Sequence, residues 1–246
     1  MNEQKTIPAA PARQVHGLRP VEKAARLTGW ALLLAGLGHV LRAVWEIRLW
    51  TAGEPASGPP DRGEGAHRPL NGLEDSYHVV TSLLGAATLV CAVFFIAWLW
   101  RVRDNSVALS RESPKYTGLW VYLGWVLPVA NLWIPRGLIA DAYRKSVPGR
   151  KLPAVVTVWW VLWLVGLLSG TGLFFRDGAD EMIERAYTEI GPVLFSEAAM
   201  AGAAVTGFLM VRAVTAAQLE RIASLTPAEP PAEAPTESPA EPSAAE

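Results

Sequence analysis

The sequence predicts an all-α, polytopic membrane protein: four transmembrane helices plus one Pro-interrupted segment that is re-entrant or interfacial. Three observations carry this reading. Apolar residues gather into long runs with few or no charges, lysine and arginine concentrate in alternate connections, and prolines split the one apolar stretch that the charges exclude as a span. The composition agrees, with 51% hydrophobic and 18% charged residues and a mean hydropathy of +0.21. Net charge is −1, which excludes the broad basic surface that nucleic acid requires. The single cysteine, Cys91, lies inside an apolar run, so neither an intrachain disulfide nor a Cys-based zinc site is available.

A helix rises about 1.5 Å per residue, so a hydrocarbon core of about 30 Å takes about 20 apolar residues. Four stretches qualify: Leu27 to Trp45, Val79 to Trp100, Leu152 to Phe175, and Val193 to Val211. The second and third hold no charged side chain, as lipid demands. The first contains His39 and Arg42, and the fourth contains Glu197. Arg42 and Glu197 are near run ends, where a long side chain is expected to snorkel its charge to the interface. His39 is deeper: a neutral imidazole bonded to a neighbouring helix, or a ligand or proton-relay group. The 26 polar residues before the first run, and the absence of a small-x-small site after it, favour a retained anchor helix over a cleaved signal.

Between the second and third runs lies Gly118 to Ile134, also apolar. Sixteen of the 22 basic residues fall in the N-terminal segment, in Arg101–Thr117, in Arg136–Lys151 and from Arg212 onward, whereas the connections Glu46–His78 and Arg176–Pro192 are net acidic. If Gly118–Ile134 crossed, a five-cation loop would lie outside and an acidic loop inside, against the positive-inside rule. Without that crossing every connection agrees, and both termini are cytoplasmic at the plasma membrane. Pro128 and Pro135 remove amide donors and push Leu127 and Ile134 off helical angles. The break is therefore expected to be covered by protein or water. Eight of eleven tryptophans, including Trp98, Trp159 and Trp160, fall near the expected inner interface, where they would act as anchors.

In the first acidic connection Asp75 or Ser76 is expected to cap the second span, and His67, Glu74, Asp75 and His78 match no metal-site spacing. The second places Met182, Ala186 and Ile190 at i, i+4, i+8, a short amphipathic surface helix. The chain thus divides into an N-terminal cytoplasmic segment (1–26), a membrane domain (27–215) and a disordered cytoplasmic tail (216–246). From Thr226 the tail is dominated by Pro and Glu and cannot bury enough apolar surface to fold.

Within YTGLWVYLGWVLPVANLWIPRGLIADAYRKS stand Gly124, Trp125, Pro128, Asn131, Trp133, Pro135, Asp141, Arg144 and Ser146, followed by Trp159 and Trp160. This pattern resembles the bacterial membrane-protein family known as domain of unknown function 4328, over roughly Leu27 to Val214. The resemblance implies a multi-pass membrane protein and carries no activity. Two readings of the motif stand. It is a fold signature, with a turn, an amide that satisfies freed carbonyls and anchoring tryptophans, or Asn131, Arg136, Asp141 and Arg144 form a small polar site under the bundle. Asp141 and Arg144 are spaced to pair at i, i+3.

No nucleophile–base pair, HExxH or phosphate loop is present, so no catalytic residue, metal or cofactor is expected. The expected role is a non-enzymatic scaffold, sensory or partner-binding membrane component, with the lipid bilayer and a protein partner or homo-oligomer as partners. The alternative is a small transporter or channel with a polar site at the interrupted segment. Small-xxx-small pairs at Gly166/Gly170, Ala198/Gly202 and Ala203/Gly207 permit close helix approach.

Overall fold

The computed structural model describes residues 17–58, 60, 68–169 and 178–225. Over these the chain is helical, without a strand: α1 (Glu22–Ala52), α2 (Gly72–Asp75), α3 (Tyr77–Ser110), α4 (Trp120–Val126), α5 (Pro128–Asn131), α6 (Ile134–Ser146), α7 (Ala154–Ser169), α8 (Ala179–Thr188) and α9 (Ile190–Leu225). Three of these, α1, α3 with the α2 turn before it, and α9, are long and apolar enough to cross a membrane. The third apolar run is helical over Ala154–Ser169, and its remainder, to Phe175, lies outside the described residues. Sixteen residues rise about 24 Å, short of the hydrocarbon thickness. The Pro/Glu-rich stretch from Thr226, His67 and residues 1–16 also lie outside them. Residues 216–225, assigned above to the tail, are instead the last turns of α9.

α1 packs extensively on α3 and on α9, and α9 on α7, so the long helices form an arc. Small residues set the spacing. A Cβ on Gly36 would stand 2.8 Å from that of Ala204, and one on Gly166 would stand 2.5 Å from Met200 Sδ. Gly166 of α7 and Gly202, Ala203 and Gly207 of α9 are thus spent on packing within the chain, whereas Ala198 is exposed and Gly170 lies outside the described residues. Across the open side of the arc, α3 and α7 touch through the rings of Phe95 and Trp159, stacked with centroids 5.8 Å apart.

The four basic segments meet at one end of the molecule. There the backbone N–H of Arg19 donates to Asn105 Oδ1 (2.7 Å), and Asn105 Nδ2 donates to Gln218 Oε1 (3.2 Å) and Arg19 O (2.9 Å). Gln218 Nε2 in turn donates to Ser146 Oγ (2.9 Å) and Val102 O (3.0 Å). This buried amide chain ties the entry of α1 to α3, α6 and α9, with both amide groups partnered, as a buried polar network must be. It also gives Ser146 of the motif its role.

The interrupted segment starts and ends at this same end. Lys115 N donates to Asp141 Oδ2 (3.1 Å), and Lys145 Nζ donates to Ser113 O. Main-chain bonds bridge both proline breaks: Leu127 N to Leu123 O, Asn131 N to Leu127 O, and Gly137 N to Trp133 O. Gly124, Ala130, Asn131 and Ile134 are buried, but Val126–Val129 and Leu132–Trp133 are exposed. The turn thus sits at the surface with its own backbone bonds made, and protein covers only part of the break.

At the opposite, acidic end a satellite core gathers Trp45, Leu49, Ile183 and Ala186 against Leu70, Leu73 and Tyr77. α8 forms as expected, yet its buried residues are Ile183 and Ala186, with Met182 and Tyr187 half-buried beside them. Asn71 caps α2, in a capping box with Glu74, whereas α3 begins after Ser76 without a side-chain cap bond from Ser76 or Asp75. Ser76 Oγ instead donates to Leu73 O and accepts from Trp45 Nε1.

Candidate functional site

Inside the arc lies an apolar cavity of about 250 Å³. Its floor is aromatic: Phe95, Trp125, Trp159 and Trp163, from α3, α4 and α7, contact one another with centroids 5.3–6.4 Å apart. Leu32 and Ala35 of α1 and Met200 and Ala203 of α9 form the walls. Thr88 and Ala92, both exposed, mark its mouth on α3. His39 also lines the cavity. Every long helix and the interrupted segment thus supply part of one site.

Behind His39 is a buried ionic cluster. His39 Nδ1 and Glu197 Oε2 are 2.7 Å apart, an N–H donating to the carboxylate. Arg42 Nε stands between two carboxylates, 3.1 Å from Glu46 Oε1 and 3.6 Å from Glu197 Oε1. Glu46 Oε2 is buried and has no partner among the described residues. The snorkelling expected of Arg42 and Glu197 is not what occurs. Glu197 is 6% exposed at its side chain, because the charges answer each other across α1 and α9 inside the protein. Charge at this depth is expensive and persists only when paired. The sequence did hold a signal: His39, Arg42 and Glu46 recur at i, i+3, i+7 on one helix face, the first two inside the apolar run and Glu46 just past its end.

At the acidic end, Arg68 Nη1 and Nη2 grip Glu74 at 2.7 and 2.5 Å, and Tyr187 Oη donates to Glu74 Oε1 at 3.0 Å. This joins the first connection to α8 and engages the Glu74 carboxylate within the protein. Burial, with the Glu74 hydrogen bond adding to it, pushes the Tyr187 phenol up to about 12.

The motif residues divide into two groups. Gly124 is a contact position, since a Cβ there would meet Ile134 Cγ2 at 2.6 Å, and Pro128 and Pro135 occupy first-turn positions of α5 and α6. Trp125 and Trp159 floor the cavity. Trp159 and Trp160 are buried, as is Trp98, so these three are core residues, not interfacial anchors; Trp133 is 53% exposed and Trp30 67%. Asn131 is buried with Oδ1 unpartnered among the described residues, as is the indole N–H of Trp125.

The second group lines a groove of about 290 Å³ at the basic end, where Arg136, Asp141 and Arg144 meet Lys115, Tyr116, Trp133 and Trp160. Asn131 is not part of it. Asp141 pairs with Lys145 (3.4 Å, i, i+4) and not with Arg144. Arg136 Nη2 donates to Thr157 Oγ1 of α7 (3.0 Å). Sequence reading missed Lys115 and Tyr116, which lie 20 or more residues from the rest of the groove apart from Trp133.

The family model described as Domain of unknown function (DUF4328) matches residues 70–216. The match runs from the turn before α2 into α9 and leaves out α1, which the resemblance above had included from Leu27. No curated protein and no solved structure matches the chain.

Proposed function

The chain belongs to the Domain of unknown function (DUF4328) family, and from that membership together with the cavity we propose a non-enzymatic, sensory membrane component that takes an apolar, chain-like molecule into its interior. The observation that carries this is the aromatic-floored cavity, to which α1, α3, α4, α7 and α9 all contribute. Trp125 couples it to the interrupted segment, whose proline breaks and two unpartnered polar groups suit an element with a second arrangement. The signal then leaves at the basic end, toward a protein partner or a second copy of the chain. In this reading α7 with the residues after it is the fourth span, both termini are cytoplasmic, and the membrane is the plasma membrane. The charge asymmetry of the connections supports that orientation.

A transporter or channel would line its path with the polar residues of the interrupted segment. The cavity is apolar, and Arg136, Asp141 and Arg144 face a surface groove instead, which favours the sensor.

The test is tryptophan quenching in phosphatidylcholine nanodiscs by a brominated fatty acid. Occupancy predicts a saturable component from Trp125, Trp159 and Trp163, above the linear background of exposed Trp30 and Trp133. Ala92→Phe at the mouth should remove the saturable part. Purely linear quenching, or saturation that Ala92→Phe leaves unchanged, rejects the proposal.

A further inference from the structure

We infer that the groove at the basic end binds the phosphate of an anionic phospholipid. The inference is independent of what enters the cavity. Four basic side chains, Lys115, Arg136, Arg144 and Lys145, lie in or beside the groove, with one acid, Asp141. That acid is already engaged by Lys145 (3.4 Å) and by the backbone N–H of Lys115 (3.1 Å), so the remaining cations face the groove without a counter-charge from it. The Lys115 ammonium is held over the Tyr116 ring, 5.5 Å from its centroid, and Arg136 is held by its bond to Thr157 Oγ1 at 3.0 Å. Both charges are thereby positioned at little further loss of side-chain freedom.

The surroundings decide between a lipid and a soluble anion. Val126, Val129, Leu132 and Trp133, on the same segment, are exposed large apolar residues. A basic groove bordered by an exposed apolar strip suits a molecule with an anionic head and hydrocarbon chains. Basic pockets between membrane helices recognise phospholipid head groups by this combination, and an exposed indole beside them sits where head group meets acyl chain. Arginine adds a planar fork that matches two phosphate oxygens.

The experiment uses the full chain in phosphatidylcholine nanodiscs containing a minority of phosphatidylglycerol, with retained lipid counted by native mass spectrometry. Phosphatidylglycerol is expected to be retained over phosphatidylcholine. Arg136→Gln combined with Arg144→Gln should lower that preference about 25-fold, from the free energy of two interfacial cations. Arg150→Gln should leave it unchanged, because Arg150 lies outside the groove and pairs with Glu220 at 2.6 Å. If the double variant yields no folded protein, Arg144→Gln alone should lower the preference about fivefold. Equal retention of the two lipids overturns the inference, as does an undiminished preference in the folded variant. Displacement of the lipid by millimolar inorganic phosphate also overturns it, since the site would then serve a soluble anion.

Discussion

Arg42 is the residue whose removal should cost most. Its guanidinium stands between the carboxylates of Glu46 and Glu197, and His39 holds the latter from the other side. Arg42→Met keeps much of the stem but leaves two buried carboxylates with no cation between them, so a loss of about 3–5 kcal/mol is expected. Thermal unfolding in detergent reads it, and a loss below about 1 kcal/mol would show that the charges are hydrated and not paired. Replacing the carboxylates together with the arginine, as Arg42→Met, Glu46→Gln and Glu197→Gln, should recover part of the stability, since the penalty lies in breaking the set. At this scale the sequence was half legible. The residue types and the helical spacing on α1 were visible, but Glu197 joins them from α9, more than 150 residues away, and only the tertiary arc makes snorkelling unnecessary.

Among the elements, the interrupted segment is where local chemistry and packing are least settled. Gly124 lets α4 lie against Ile134 of α6, while Asn131 buries an oxygen without a partner. An unbonded buried amide costs about 1–3 kcal/mol, so Asn131→Leu is expected to leave folding intact or to raise stability by about 1 kcal/mol. A melting temperature that falls would show that Asn131 is bonded in the membrane. The segment's return to the basic end was legible from lysine and arginine counts and from Pro128 and Pro135, because charge and missing amide donors act locally. What faces the bundle was not. Trp159 and Trp160 read as interface residues from their position in the chain, and only packing against Phe95, Trp125 and Trp163 reveals them as core. The cap at Asn71 was missed for a simpler reason: it opens the separate α2 turn, eight residues before the apolar run that starts at Val79.

For the whole molecule, four basic segments converge at one end and α2 and α8 at the other, and the proposed orientation rests on that asymmetry. A reporter fused after Lys151 is expected to lie in the cytoplasm, and one inserted within residues 178–189 outside. The reverse result at either place would undo the four-span topology. The helical, membrane-spanning character was the most legible feature, because a backbone with no water to bond must satisfy its own polar groups and long charge-free runs do so as helices. The ends of α9 and the division of roles among its polar residues were not, since Gln218 and Thr215 continue the helix beyond the last apolar stretch to meet partners on α3 and α6.

The mouth of the cavity at Thr88 and Ala92 is set on the flank of the protein, away from both its ends. Whatever reaches the aromatic floor by that door arrives sideways, already dissolved among acyl tails, and needs no aqueous vestibule. Its supply is then governed by how strongly it partitions into oil, so a compound scarce in water can still saturate the pocket, and bilayer composition becomes a control on occupancy.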